Sequence, residues 1–235
     1  MKEKFDIALF PAPDTEELDF IRQCLPETAN LDSFLEKCTI YGKFLYTTNE
    51  TMNLTRIPPA DFWSKHVCDA VSILRELPDL CGGGALCDLG CGAGIPSIIL
   101  AAAVEDLEIT AMDSTRKKVD FVHQAAEKCG LKNLQTVHGR ANELARKDPY
   151  FQGFDFVTAR AVADALTLVT ESTNLLIPQE GRLLIYRTES QAEPEREQLR
   201  KKRIKFYTTD EFSLPRNAGS RMFMVLEELK LKHGK

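Results

Sequence analysis

Three glycines alternate in the stretch LCDLGCGAGIPS, which runs from Leu86 to Ser97. Gly90, Gly92 and Gly94 follow an apolar run, so they predict a tight turn between a buried strand and a helix. A loop without side chains lets a ligand approach the backbone, and such a loop lies where open α/β sheets bind ligands. The chemistry indicated is the binding of an adenosine-containing cofactor, either a dinucleotide or S-adenosylmethionine.

Two carboxylates near this loop favour S-adenosylmethionine. A dinucleotide fingerprint reads G-x-G-x-x-G/A, whereas here the third glycine comes one residue early. Asp88 stands two residues before the first glycine, where it can meet the ammonium group of an amino-acid-like ligand. Asp113 ends the next predicted strand and can accept both hydroxyls of a ribose. Together these features resemble the class I S-adenosylmethionine-dependent methyltransferases, and a nicotinamide dehydrogenase is the least favoured interpretation.

The elements that position these residues follow from the spacing of apolar side chains. Before the triple glycine at 82–84 the spacing is helical, with a capping box at Asp14 and a helix start at Pro58-Pro59. We therefore predict an N-terminal helical extension over residues 1–80, packed on the core. The remainder, 81–235, is predicted to be a Rossmann-like methyltransferase domain.

Beyond the extension, predicted strands alternate with helices. The strands are ALCDLG, LEITAMD, LQTVHG, FDFVTARA, GRLLIYR, KFYTTDEF and RMFMVLEEL. This alternation predicts an α/β fold with a doubly wound, mostly parallel sheet of seven strands. The connection between the last two strands is too short for a crossover helix, so the last strand is expected to run antiparallel.

Composition restricts the class of protein. The chain has 235 residues, 43% of them hydrophobic, and a net charge of −5, which is ordinary for a soluble globular protein. No apolar run reaches the roughly 20 residues that a spanning helix requires, and the first residues do not read as a signal peptide. The seven cysteines include no C-x-x-C pair, so no metal site is expected. We expect a cytoplasmic protein without a membrane partner.

Several motifs occur in a fixed order around the glycine loop. They are MNLTRI, WSKHVCDAV, LGCGAGIP, MDSTRKKVDF, HGRANELA and FDFVTARAVA. In this order and spacing they resemble the bacterial 16S ribosomal RNA guanine-N7 methyltransferases, also called the glucose-inhibited division protein B or RsmG family. The resemblance extends from about Asn53 to Leu184.

The resemblance implies methylation of N7 of a guanine in the 530 loop of 16S ribosomal RNA, at position 527. It places cofactor contacts at Gly90, Ile95, Ala141, Asn142 and Arg160. The expected partner is 16S RNA or the small ribosomal subunit, and the protein is expected to act as a monomer. The chain departs from the usual family pattern at Ile95, Ser97, Asn142 and Arg187.

The predicted chemistry needs no general base, because N7 of guanine carries a free lone pair and no proton has to leave. Consistent with this, the fourth strand is followed by TARAV instead of an N-P-P-Y-type motif. Arg160 cannot act as a base at neutral pH, so a mechanism based on positioning is favoured. Its guanidinium is expected to bind the methionine carboxylate, guanine O6 or a phosphate.

Candidate RNA contacts come from basic and aromatic residues outside the loop. They are His66, Lys117, Arg140, Arg216 and Arg221. Local basic runs on a mildly acidic protein are compatible with binding one particular RNA. Each of these residues also has a structural interpretation, as solvated surface charge or, for His66, as a packed helical residue.

Two alternatives from the sequence remain open. A small-molecule methyltransferase would not need Lys117, Arg140 or the C-terminal arginines. A non-catalytic ribosome-assembly factor with the same fold would not need the methyl donor, although the intact Asp88, glycines and Asp113 argue against it.

Overall fold

The computed structural model describes residues 6–160 and 163–229, and the strands in these ranges form one sheet. The strands are β1 (Gly84–Leu89), β2 (Leu107–Asp113), β3 (Leu134–His138), β4 (Phe156–Arg160), β5 (Arg182–Arg187), β6 (Lys205–Thr208), β7 (Phe212–Ser213) and β8 (Ser220–Glu227). The α-helices are α1 (Thr15–Cys24), α2 (Leu31–Asn49), α3 (Asp69–Glu76), α4 (Ser97–Ala103), α5 (Arg116–Lys128), α6 (Ala141–Leu144), α7 (Ala165–Ser172) and α8 (Glu189–Lys201). Ala161 and Val162 of the TARAV motif lie outside the described residues.

The sheet has the strand order β3-β2-β1-β4-β5-β8-β6, with β7 paired to β8 beside this path. Strands β1 to β5 are parallel to one another, whereas β8 runs antiparallel to both β5 and β6. The doubly wound, mostly parallel sheet and its antiparallel last strand are therefore confirmed. The short β7 was not expected as a separate strand, because the stretch KFYTTDEF was predicted as one strand and two residues carry no recognisable period.

Alternating side chains divide the core between the two faces of the sheet. Leu86, Ile109 and Tyr186 belong to a buried cluster that continues into α1 to α5. Neighbouring residues such as Cys87 and Ile185 belong to a second cluster, which continues into α6, α7 and α8. Strands that are buried on both faces in this way place their carboxyl ends at one edge, where loops can form a site.

The N-terminal helices largely follow the sequence. Asp14 and Glu17 form the predicted capping box, with both side-chain to backbone bonds at 2.9 Å. The third helix differs from the expectation of a regular helix. It starts with a 3₁₀ turn at Pro59–Asp61, continues as a π-helical segment at Trp63–Cys68, and becomes α-helical in α3. An apolar period over so few residues does not distinguish a π-helical turn from an α-helical one.

One hydrophobic cluster crosses the predicted boundary at residue 80. The ring of Phe44 stacks on Phe121, with centroids 5.0 Å apart. The Tyr41 hydroxyl donates a hydrogen bond to the carbonyl of Ala93 at 2.8 Å, in the glycine loop. The helices before residue 80 therefore pack on the sheet, while the division into a helical extension and a second domain stays a prediction.

Most cysteines are part of this interior. Six of the seven are buried and Cys81 is partly exposed, and all seven are free thiols. Burial raises the pKa of every one of these thiols above its ordinary value. Within the described ranges, no helix is both long and apolar enough to cross a bilayer.

A fragment of residues 81–235 tests whether the two predicted domains fold independently. We expect the fragment to lack a cooperative unfolding transition, because it loses the Tyr41 hydrogen bond, the Phe44 ring and the apolar cover of one sheet face. Circular dichroism during urea unfolding measures this, with the whole chain as the control. A steep transition of the isolated fragment would instead establish two independent domains.

Candidate active site

A cavity of about 750 Å³ opens at the carboxyl ends of β1, β2 and β4. Its lining includes most of the residues that the sequence placed at the site, namely His66, Gly90, Gly92, Ile95, Asp113, Arg140, Ala141, Asn142 and Arg160. Asp88, Gly94, Lys117, Arg216 and Arg221 do not line it. The parallel strands thus bring residues from distant parts of the chain to one edge.

The three glycines have different roles in the loop. All three have a positive φ, at 71° for Gly90, 56° for Gly92 and 87° for Gly94. A Cβ on Gly92 would meet only the Gly90 carbonyl oxygen, at 3.8 Å, so this position faces open space in the cavity. A Cβ on Gly94 would lie 2.8 Å from Cγ1 of Ile98 and 3.3 Å from Val122. Gly94 therefore allows α4 and α5 to pack against the loop, and its cofactor contact stays a prediction.

Asp113 is held at the edge of the cavity by the backbone. Its carboxylate accepts hydrogen bonds from the N–H of Gly92 at 3.1 Å and from the N–H of Thr115 at 2.7 Å. The side chain is fixed by these bonds, and each carboxylate oxygen keeps a second lone pair. Ala141 and Asn142 line the same cavity from the first turn of α6. The lone pairs that Asp113 keeps can accept ribose hydroxyls at the edge of the cavity.

Asp88 lies beneath the loop and is almost completely buried. Its carboxylate accepts hydrogen bonds from the backbone N–H of Ser97, at 3.3 Å, and from the Ser97 hydroxyl. Burial raises the pKa of Asp88 to about 6, although the bonds from Ser97 oppose this rise. Asp88 thus anchors the start of α4, and its contact with a ligand ammonium group stays a prediction.

Arg160 is the last residue of β4. It lines the cavity, and its guanidinium belongs to a buried cluster of ion pairs. Its Nε donates to Oδ2 of Asp69 at 2.6 Å, and its Nη2 donates to the carbonyl of Lys65 at 3.1 Å. The other oxygen of Asp69 accepts from Nε of Arg221 at 2.5 Å. Sequence reasoning did not assign Asp69 to the site, although the motif WSKHVCDAV contains it; the available signal was an acid flanked on both sides by apolar residues in VCDAV.

His66 lies in the wall of the cavity as a neutral ring. It is buried, and its Nε2 is 3.0 Å from the hydroxyl oxygen of Thr55. Its Nδ1 has no hydrogen-bond partner among the described residues. Burial, together with the charge of Arg160, lowers the pKa of His66 to about 3. The ring therefore cannot contribute a positive charge to RNA binding near neutral pH.

The remaining candidate RNA contacts differ in their surroundings. Arg140 is exposed at the cavity, and Lys117 is exposed beside it on α5. Arg216 is bound to the N-terminal part of the chain, with its backbone N–H on Glu16 and its Nη1 on the carbonyl of Ala60, both at 3.0 Å. Arg221 is bound to Asp69. RNA contact by these residues stays a prediction.

The segment 54–57 is a part of the site that the sequence did not reveal. It lines the cavity and also borders a second, larger cavity of about 1480 Å³. The side chain of Asn49 fixes this segment, because its Oδ1 accepts from the N–H of Leu54 at 2.7 Å and of Thr55 at 3.0 Å. Arg56 and Lys118 also line the cavity.

The departures from the family pattern lie in different places. Ile95 and Asn142 line the cavity, while Ser97 donates to Asp88 below it. Arg187 is buried away from the cavity and donates to Glu195 at 2.9 Å, which joins β5 to α8. In the part of the chain that the structure describes, no group of three or more His, Cys, Asp or Glu side chains could hold a metal ion.

Comparison with known proteins gives a consistent result. The family model described as GidB, rRNA small subunit methyltransferase G, matches residues 34–222. The ribosomal RNA small subunit methyltransferase G of Lactobacillus delbrueckii subsp. bulgaricus is 35% identical over 200 residues, covering 83% of each chain. The protein of the same name from Staphylococcus epidermidis is 35% identical over 192 residues, covering 80% of this chain and 79% of its own.

Solved structures confirm the class I methyltransferase fold. The methyltransferase domain of METTL16 superposes with a TM-score of 0.59 at 16% identity, covering 93% of each chain. A SAM-dependent O-methyltransferase from Thermotoga maritima gives a TM-score of 0.51 at 17% identity, covering 80% of this chain and 73% of its own. At these identities the likeness concerns the fold alone.

The raised pKa of Asp88 predicts a pH-dependent stability. Between its ordinary value of 3.8 and about 6, the folded protein keeps a proton that the unfolded chain has released. The free energy of unfolding therefore falls as pH rises through this window, by up to about 3 kcal/mol. Urea unfolding between pH 4 and pH 7 should show this fall in the unaltered protein and not in Asp88→Asn. Asp120→Asn, at an exposed position on α5, is the control; identical pH profiles for the unaltered protein and Asp88→Asn would contradict the prediction.

Proposed function

Because the chain belongs to the rRNA small subunit methyltransferase G family, we propose that it methylates N7 of a guanine in the 530 loop of 16S ribosomal RNA, at position 527, with S-adenosylmethionine as the donor. The observation that carries this proposal is the cavity at the sheet edge, where the glycine loop, Asp113 and Arg160 meet. The match to the family model and to its relatives confirms the family predicted from the motifs.

One half of the cavity fits the methyl donor. This donor half consists of Gly90, Gly92, Asp113, Ala141 and Asn142. The open space at Gly92 admits a ligand against the backbone, and Asp113 offers carboxylate oxygens to ribose hydroxyls. These residues would hold the adenosine part of S-adenosylmethionine.

The other half of the cavity is suited to the base that is methylated. To this acceptor half we assign the segment 54–57 and His66; Arg160 lines the same cavity and is, by the family resemblance, a cofactor contact. Its imidazole is neutral and, with a pKa lowered to about 3, is only a weak base, while the charge of the Arg160 guanidinium is paired with Asp69. That composition fits a nucleophile that has no proton to lose.

When bound, S-adenosylmethionine would supply a methyl group on a cationic sulfur; the N7 lone pair would form the new bond while the bond from sulfur to methyl would break with its electron pair on sulfur, so the positive charge would pass to the purine. The residues of this chain contribute by holding the two reactants in line, which in favourable cases lowers a barrier by roughly 7–11 kcal/mol. The rigid strand ends hold the donor, and Asn49 holds the segment 54–57 of the acceptor half.

Unpaired cations around the cavity support an RNA substrate. Arg56, Lys118 and Arg140 line it, and Arg116 and Lys117 lie beside it in the first turn of α5. Within 6–160 and 163–229, none of these five side chains forms an ion pair. Cations without internal partners are free to neutralise phosphates.

A second basic run, RKKRIK, is less suited to RNA binding than the cations around the cavity. It spans 200–205 and lies at the opposite edge of the sheet, since β6 runs parallel to β5 and begins there. Lys201 is paired with Glu197, and Lys205 with Glu227 and Glu228. The unpaired cations therefore favour the binding of RNA at the cavity. Neither a small-molecule methyltransferase nor a non-catalytic assembly factor is favoured.

We further propose that the protein acts as a monomer in the cytoplasm, on the RNA or on the small subunit.

Binding of the donor should depend on Asp113. Asp113→Asn removes the charge that accepts ribose hydroxyls, so we expect S-adenosylmethionine to bind about 10- to 100-fold more weakly. Isothermal titration calorimetry measures the dissociation constant, and Asp120→Asn on α5 is the matched control. An unchanged affinity in Asp113→Asn would contradict the placement of the ribose.

The RNA proposal predicts that 16S RNA from cells without the gene lacks N7-methylguanine in the 530 loop, as mapped by borohydride and aniline cleavage. Incubation with this protein should restore the cleavage. The double variant Lys117→Gln/Arg140→Gln should methylate RNA at least about 10-fold more slowly at low RNA concentration, with unchanged donor affinity. Lys201→Gln/Lys202→Gln, at the opposite edge, is the control. Equal rates for the two double variants would contradict RNA binding over the cavity.

A further inference from the structure

We propose that Tyr41 is a positioning residue for binding of the methyl donor, because it holds the glycine loop in the conformation that accepts S-adenosylmethionine. This inference rests on the proposed function, since it concerns how that donor is held. Tyr41 lies on α2 and does not line the cavity, so it acts through the loop and not on the donor itself.

The hydroxyl of Tyr41 is the contact that fixes one carbonyl of the loop. Tyr41 is completely buried, and its hydroxyl donates to the carbonyl oxygen of Ala93 at 2.8 Å. Burial raises the pKa of this hydroxyl well above its ordinary value, so the proton that it donates stays in place. Ala93 lines the cavity. In the part of the chain that the structure describes, its carbonyl has no other hydrogen-bond partner.

The peptide group between Ala93 and Gly94 is held at both ends. Its carbonyl accepts from Tyr41, and its N–H, which belongs to Gly94, donates to the carbonyl of Cys91 at 2.7 Å. Ala93 stands between two glycines with a positive φ, 56° at Gly92 and 87° at Gly94. Glycine adopts many backbone conformations at little cost, so these two residues do not by themselves select one. The bond from Tyr41 restricts the choice.

The first part of the loop is fixed from the opposite side, by β2. The first two amides of the loop donate to the carbonyl of Met112 at 2.8 and 3.0 Å, and the N–H of Gly92 donates to Asp113 at 3.1 Å. Of the amides of residues 90–94, only that of Ala93 has no partner within the described ranges. This N–H is available to a ligand in the cavity, so the orientation of Ala93 matters for binding.

The helix that carries Tyr41 also supports a second wall of the same cavity. Asn49 lies about two turns, or about 12 Å, further along α2 and accepts hydrogen bonds from N–H groups of the segment 54–57. This segment and the glycine loop both line the cavity. One helix therefore sets the position of the loop relative to the segment.

Removal of the Tyr41 hydroxyl acts on the conformation of the loop. An unpartnered carbonyl that stays buried is costly, so the carbonyl of Ala93 turns toward water when its donor is lost. The loop then populates more than one conformation, and a ligand that binds only one of them loses affinity in proportion to the fraction of molecules in it. A binding-competent fraction of about 0.1 weakens binding about 10-fold.

Tyr41→Phe tests this role, because it removes only the hydroxyl. We expect the dissociation constant of S-adenosylmethionine, measured by isothermal titration calorimetry, to rise about 10-fold. The KM for the donor should rise by a similar factor, while kcat for methylation of 16S RNA should change less than about 2-fold, because a bound donor selects the competent loop. In the protein without donor, hydrogen exchange at residues 90–94, followed by mass spectrometry, should become at least about 10-fold faster.

Tyr46→Phe is the matched control. Tyr46 is buried on the same helix, and its hydroxyl donates to the carbonyl of Pro58, outside the loop, at 3.2 Å. Both variants should keep a cooperative thermal transition, with a midpoint lowered by about 2–4 °C. The control should change the dissociation constant of the donor less than about 3-fold. A merely structural role of Tyr41 would lower both midpoints and leave both dissociation constants unchanged.

Donor binding by the unaltered protein with an unchanged dissociation constant in Tyr41→Phe would overturn only the role of Tyr41. Equal weakening in Tyr41→Phe and Tyr46→Phe would also overturn it. So would a Tyr41→Phe variant without a thermal transition, because the hydroxyl would then serve the fold as a whole. No donor binding by the unaltered protein would overturn the proposed function together with this inference.

Discussion

The carboxylate of Asp69 is the interaction on which the site depends. It joins three parts of the chain, because it starts α3 and binds Arg160 at the end of β4 and Arg221 near the start of β8. A buried carboxylate is costly unless it is fully compensated, and removing one member of such a cluster leaves an unpaired charge. The two arginines provide that compensation, so the N-terminal extension, the centre of the sheet and its antiparallel strand are fixed relative to one another.

The two halves of the cavity are formed by different parts of the chain. The donor half consists of strand ends and the turns that follow them, where the backbone itself fixes Asp113 and the glycines. The proposed acceptor half depends on the extension, which contributes the segment 54–57 and His66, with Asn49 as a support. We therefore propose that the common part of the fold holds the donor and that the added helices determine the choice of acceptor.

The sequence predicts the parts of this architecture that repeat or that follow local rules. Strand and helix periods predicted the sheet, and the spacing of Gly90 and Gly92 before Asp113 predicted residues that line one cavity. Motif spacing did not separate residues that face the cavity from those that support it, so Asp88 and Gly94 were grouped with the lining residues. The role of Asp69 was not predicted because its partners are 91 and 152 positions away in sequence, and no local pattern encodes such a pairing.

The buried cysteines have a consequence for the chemistry of the whole molecule. Oxidation and alkylation proceed through the thiolate, and burial keeps these sulfurs in the thiol form and away from reagents. Packing therefore protects the six buried thiols of the folded chain from oxidation. Reaction at any of these six, in contrast to the partly exposed Cys81, marks a molecule that has opened.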